Sequence, residues 1–239
     1  MNIALAIAIL AVVWAVDSPI AAFALVLLSK WRILAVRPRY WFANIQANSV
    51  DIIVSLSIII LLYAASGAVI AQYILTAAYI VWLLFIKPRS KRVFVTLQAG
   101  TATFLGVSAL MTVSYDWMAS PVVLLMWLIG YSAARHVLSN YDEAHISFYS
   151  LLWGFIVAEI GWLTYHWTFA YELSGVGNIK LVQSALIVTS LSFLAERIYA
   201  SYTKHGEVRS GDVILPALLS ISLIVILLVF FNRLGAGTI

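Results

Sequence analysis

From Asn2 to Asn232 the chain keeps returning to apolar runs of about twenty residues, separated by short stretches that gather most of its charge. A helix of that length crosses the roughly 30 Å hydrocarbon core of a bilayer. In lipid each backbone polar group must be satisfied within its own segment, so repeated apolar runs dictate helices. A barrel would need alternating strands of about ten residues, and the sequence shows none. The expected fold is an all-α, polytopic transmembrane helical bundle of about eight spans, over 3–29, 50–66, 69–86, 93–114, 120–138, 146–169, 181–200 and 212–232. Composition agrees: 10% of residues are charged, against about 25% in an average soluble domain. Residues 1–239 are expected to form a single transmembrane domain, with no room for a soluble one.

The N-terminal run lacks a basic leader, so it reads as a retained helix and not as a signal peptide. Pro19 predicts a kink in it. "ASGA" between the second and third spans predicts a tight hairpin. Alanines 4, 8, 11 and 15 suggest a packing ridge on the first span. "SPIAAFALVLLSKWRILAV" (18–36) weakly echoes "SPVVLLMWLIGYSAARHVL" (120–138), which suggests halves 1–115 and 116–239 in one orientation.

Basic residues set the orientation. With the N-terminus outside and eight alternating spans, Lys30, Arg32, Arg37, Arg39, Lys87, Arg89, Lys91, Arg92, Arg135, Arg197, Lys204 and Arg209 fall on the cytoplasmic side. Only Lys180 and Arg233 fall outside, giving 12 of the 14 basic residues within. This bias explains the net charge of +4 without a nucleic-acid partner. The expected location is the plasma membrane or a bacterial inner membrane. Segment 30–49 mixes Trp31, Tyr40, Trp41 and Phe42 with four basic residues, as an interfacial segment does. It would lie at the headgroups or dock a partner. Asp51 then suits the positive end of the second span.

The sixth span carries the most unusual side chains. His145, Leu152, Glu159 and His166 recur every seven residues, so they share one helix face. Tyr149 and Trp162 flank that stripe, which is about 30 Å long at about 1.5 Å per residue. A carboxyl at mid-membrane costs several kcal/mol unless it faces the bundle interior or a wet cavity. With histidines near both mouths, the pattern suits a proton relay. Asp17, beside Pro19, is the other carboxyl near mid-span and could pair with Glu159, with a freed carbonyl as a further ligand. Gln98, Thr101, Ser108 and Thr112 form a polar stripe on the fourth span, either supporting that path or packing helices.

"ARHVLSNYDEAH" (134–145) concentrates Arg135, His136, Asp142 and Glu143 at one turn, and Glu196–Arg197 could pair with it. This is a candidate acid–base cluster, although its spacing fits no metal motif. No metal and no cofactor is expected. A retinal protein needs a lysine inside a span, and the histidines sit at unmatched depths for haem. The absence of cysteine excludes disulfides and thiolate chemistry.

The leading expectation is a transporter or channel for a small solute or ion, coupled to protons through the sixth span. The alternative is a non-catalytic membrane subunit or assembly factor that binds a partner protein. A third is a membrane enzyme using 135–145. The expected partners are the lipid bilayer and a second copy or another membrane protein.

Overall fold

The structure is a computed structural model that describes residues 2–141, 143–166, 170–172 and 180–230. The described chain is helical apart from one short antiparallel pair. That pair joins β1 (Ala170–Glu172) to β2 (Lys180–Val182), with Tyr171 opposite Leu181.

The first expected span is two helices, α1 (Asn2–Ala15) and α2 (Ile20–Ser29). Pro19 has no N–H to continue the ladder, so it starts α2 instead. The break exposes backbone carbonyls, and Tyr63 closes it by donating its hydroxyl to Val16 O at 3.0 Å and Ser18 O at 2.9 Å. The buried face of α1 is Ala6, Ile9 and Leu10; the alanine ridge faces away from the core.

The chain then runs through α3 (Trp31–Leu34), a 3-10 turn at Pro38–Tyr40, and α4 (Trp41–Ala47). Next, α5 (Ser49–Ala64) turns 67° away from this segment at Asn48. Asn48 caps the bend by donating Nδ2 to Asn44 O at 2.8 Å. Gly67, at φ 84°, makes the expected hairpin into α6 (Val69–Val81). A π-helical turn, Trp82–Ile86, extends α6.

Five longer helices follow: α7 (Arg92–Val113), α8 (Ala119–Leu138), α9 (Ile146–His166), α10 (Gln183–His205) and α11 (Ser210–Phe230). Among the described residues, five helices are long and apolar enough to cross a membrane: α6 with its extension, α7, α8, α9 and α11. Counting the bent pair with α5 gives six. At 23 residues α10 is long enough but richer in polar side chains, and α1 and α2 are each short.

One apolar core joins α1, α2, α5 and α6; a second joins α7 to α8, α9 and α10. The closest packing is between α8 and α9. There Gly130 lies under Val157, Gly161 under Met126 and Gly154 under Trp127. Lipid tails are as apolar as leucine, so close backbone approach between small residues is what joins helices in a bilayer.

Candidate functional site

The α10 helix packs tightly on α7 near its start, where Val182, Ala185 and Val188 meet Val107, Leu110 and Met111. Further along, the helices separate and leave a cavity of about 1100 Å³. That is slightly above the range of about 300–1,000 Å³ usual for small-molecule sites. Its walls are mostly apolar, with Leu97, Gly100 and Phe104 of α7, Ile156 of α9 and Phe193 of α10 among them. Val93, Leu97, Leu152 and Leu219 line it and are exposed, so the cavity is open and not sealed.

Polar groups gather at the end bearing the α8–α9 turn. Glu196 is buried, 8% exposed, and lines the cavity. Tyr141 donates its hydroxyl to Glu196 Oε1 at 3.0 Å. Burial, with Glu196 beside it, pushes the Tyr141 phenol up to about 12, which keeps the donor proton in place. The Arg92 guanidinium stacks over the Tyr141 ring, 4.2 Å from its centroid. The Arg197 Nε lies 3.5 Å from Glu196 Oε2, in ion-pair range but without a hydrogen bond. Among the described residues, buried side-chain atoms lacking a hydrogen-bond partner are Ser108 Oγ, Ser184 Oγ, Ser192 Oγ and Glu196 Oε2. Ser192 and Glu196 line the cavity, and the other two residues do not. They are four apart on α10, hence neighbours on one face.

At the same end of the bundle Asp51 forms a buried ionic knot. Its Oδ2 takes the Lys30 ammonium and that of Lys87, the latter at 2.8 Å. Trp82 Nε1 donates to Oδ1 at 3.3 Å. Burial draws Lys30 below the usual lysine range, against the opposing pull of Asp51. The knot ties α2, α5 and the π-helical turn together. Nearby, Gln98 Nε2 donates to Ile86 O at 2.7 Å and Arg89 O at 2.9 Å, supplying carbonyls that the end of the π-turn leaves free.

The residues expected from sequence are distributed as follows. Glu159 is exposed on the outward side of α9, away from α8, and forms no hydrogen bond or ion pair among the described residues. The expectation that it faces the bundle interior or a wet cavity is not met. The inward face of α9 carries Ser150, Gly154, Val157, Ala158 and Gly161, because small side chains are what α8 can approach. His145 and His166 are exposed on the same outward side as Glu159. His166 Nδ1 meets Trp162 O at 2.9 Å, and its ring rests on Trp162.

Asp17 is exposed at the α1–α2 break. Its helices pack on α5 and α6, whereas α9 packs on α8 and α10; no contact joins Asp17 to Glu159, and Tyr63 takes the carbonyls considered as ion ligands. Tyr149 and Thr101 line the cavity. Gln98 Oε1 meets His136 Nε2 at 2.7 Å.

The turn 135–145 does not form one cluster. Arg135 reaches Ser147 Oγ at 3.2 Å, His136 turns to Gln98, and Glu143 accepts from Tyr199 Oη and, at 2.8 Å, from the His145 backbone N–H. The Tyr199 hydrogen bond, more than any other contact, draws Glu143 below the usual carboxyl range. Asp142 lies outside the described residues. Among the described residues no group of three or more His, Asp or Glu side chains could hold a metal.

The sequence reading missed the Lys30–Asp51–Lys87 knot and the position of Glu196 at a cavity. The available signals were a lysine at the end of one span, an aspartate opening another, and a glutamate in the most polar long helix. In comparison with known proteins, no family model, curated protein or solved structure matches the chain.

Proposed function

We propose that the chain is a membrane transporter for an amphiphile, a molecule with an apolar body and a small polar head. The cavity, lined by α7 to α10 together with residues of α5, α6 and its π-helical turn, and α11, is its binding chamber. The observation that carries this reading is an open, mostly apolar chamber with the buried Glu196 at one end. An apolar chamber among helices of span length suits a solute that arrives through the bilayer. In this reading the chain crosses the membrane about eight times with its N-terminus outside, α10 among the crossings. The chamber's polar end is then cytoplasmic, in accord with the bias of basic residues.

The test uses Gly100, which lines the chamber and whose added Cβ would meet nothing within 4 Å. Gly100→Phe fills the space without a backbone clash. In proteoliposomes it should abolish transfer of a fluorescent hexadecyl probe between leaflets, while thermal unfolding in detergent stays near wild type. Transfer at the wild-type rate by a folded Gly100→Phe protein would exclude this chamber. So would wild-type transfer no faster than in protein-free vesicles.

A second reading, a membrane subunit that associates with another protein, is supported by the outward position of Glu159. Proton movement along His145, Glu159 and His166 would also require a protein surface over α9, since an open carboxyl at that depth faces hydrocarbon.

A further inference from the structure

The short helix α4 is inside out for water. Its half-buried side chains are the polar ones, Asn44 and Gln46, with Asn48 at its C-cap, whereas Trp41, Phe42 and Ile45 are exposed. The polar groups are engaged within the protein. Asn44 Nδ2 donates to Ile33 O at 3.2 Å, and Gln46 Nε2 to the Tyr131 hydroxyl. Trp41 Nε1 donates to Leu34 O and Val36 O, each at 3.0 Å, and ties α4 back to the end of α3. The segment is thus held by its own hydrogen bonds with its apolar side chains turned outward. A short helix that presents such side chains beside arginines suits the headgroup layer of a bilayer. The 67° turn at Asn48 sets it across the axis of α5 and not along it.

Charge selects the lipid. From residue 18 to residue 115 the chain has eight basic residues and one carboxyl, Asp51. Lys30 and Lys87 both take that carboxyl, which brings the stretches 30–39 and 87–92 to one end of the bundle. Arg32, Arg37, Arg39, Arg89 and Lys91 are exposed and have no ion-pair partner among the described residues. The Arg39 guanidinium lies over the Tyr40 ring, 4.7 Å from its centroid, and that of Arg89 over Phe94 at 4.4 Å. Stacking holds a guanidinium by its face and leaves the N–H edge open, the edge that takes a phosphate bidentately. A zwitterionic head would bring an ammonium of its own into this field, whereas an anionic head brings net negative charge.

We propose that segment 30–49 is a seat for anionic phospholipid, with Arg32, Arg37 and Arg39 at the phosphate head and the outward face of α4 among the acyl chains. This seat is separate from the chamber, which no residue of 30–49 lines.

The test is native mass spectrometry of the purified full chain, released from detergent with equal amounts of phosphatidylglycerol and phosphatidylcholine of the same acyl chains. Phosphatidylglycerol should be retained about tenfold or more over phosphatidylcholine, since each arginine near an anionic surface contributes about fivefold. Arg32→Gln/Arg37→Gln/Arg39→Gln should bring the two lipids to nearly equal retention. Lys204→Gln/Arg209→Gln, which lowers charge at the α10–α11 turn, should keep the preference. These side chains are all exposed, and thermal unfolding checks that the variants fold. Should the triple variant fail to fold, Arg37→Gln alone should lower the preference about fivefold. Equal retention by the wild type, as a surface for a protein partner would give, overturns the proposal. So does a preference that the arginine variants keep or that the Lys204/Arg209 variant loses to the same extent. A preference that inorganic phosphate abolishes, where chloride of equal ionic strength does not, also overturns it, because the arginines would then hold a free anion.

Discussion

Asp51 holds two ammonium groups with one carboxyl. Lys30 is buried with it, whereas Lys87 is 41% exposed and contributes less because water screens it. Removing one partner of a buried ion pair leaves an uncompensated charge, at a cost of about 3–5 kcal/mol. Asp51→Asn should therefore lower the unfolding temperature in detergent markedly, and adding Lys30→Gln should recover part of the loss. Equal stability of wild type and Asp51→Asn would show that the knot is dispensable. Sequence made Asp51 legible as a helix-start residue, because that preference is local. Its partners were not legible: Lys30 and Lys87 lie 21 and 36 positions away, and their approach depends on how α2 and the π-turn pack. Glu196 illustrates the same limit. Its proximity to the 134–145 turn was readable from shared topology, its facing toward a cavity was not.

At the scale of elements, α8 and α9 are joined by glycines that leave no room for a side chain. A Cβ at Gly130 would lie 2.7 Å from Val157 Cβ, and one at Gly161 would lie 2.6 Å from Met126 Cγ. The Gly161 position also lies 2.8 Å from Met126 Cβ, so at both sites the neighbour is held by an atom fixed to its backbone. Gly130→Ala and Gly161→Ala should each destabilise the protein by about 1–3 kcal/mol. Thermal unfolding checks this, and a variant as stable as wild type would refute the argument. The long helices α6 to α9 and α11 were legible because an apolar run of span length has little alternative in lipid. The orientation of α9 was misread because a seven-residue stripe defines a face without saying where it points. The decisive signal was the set of small residues at 150, 154, 158 and 161, which marks the face a neighbouring helix can approach. The unbroken first span failed for a different reason: Pro19 and the Tyr63 hydroxyl together favour a full break over a kink.

For the molecule as a whole, the outward face of α9 is an exposed seam. Phe148, Leu152, Phe155, Glu159, Trp162 and His166 follow steps of four and three, and all are exposed. That spacing is the a/d pattern of a parallel helix pair, in which a single polar residue fixes register. A two-fold axis along the membrane normal would set Glu159 beside its own copy, where two carboxyls can share a proton. A cysteine at Phe155, in a chain with none of its own, should cross-link between copies in native membranes. A cysteine at the exposed Val225 of α11 should not. Cross-linking at neither position, with a monomer in native nanodiscs, would remove the symmetric pair.

The bend at Asn48 has a mechanical side. Because the chain turns 67° there, the straight part beyond the bend is the 16 residues of α5, about 24 Å at about 1.5 Å per residue. The 22 residues of α7 beside it reach about 33 Å. On the eight-span reading, in which α5 is a crossing, that flank would match a membrane about 9 Å thinner than the α7 flank does. Lipids around α5 would then shorten or tilt to meet it, and a molecule crossing there would have less hydrocarbon to traverse.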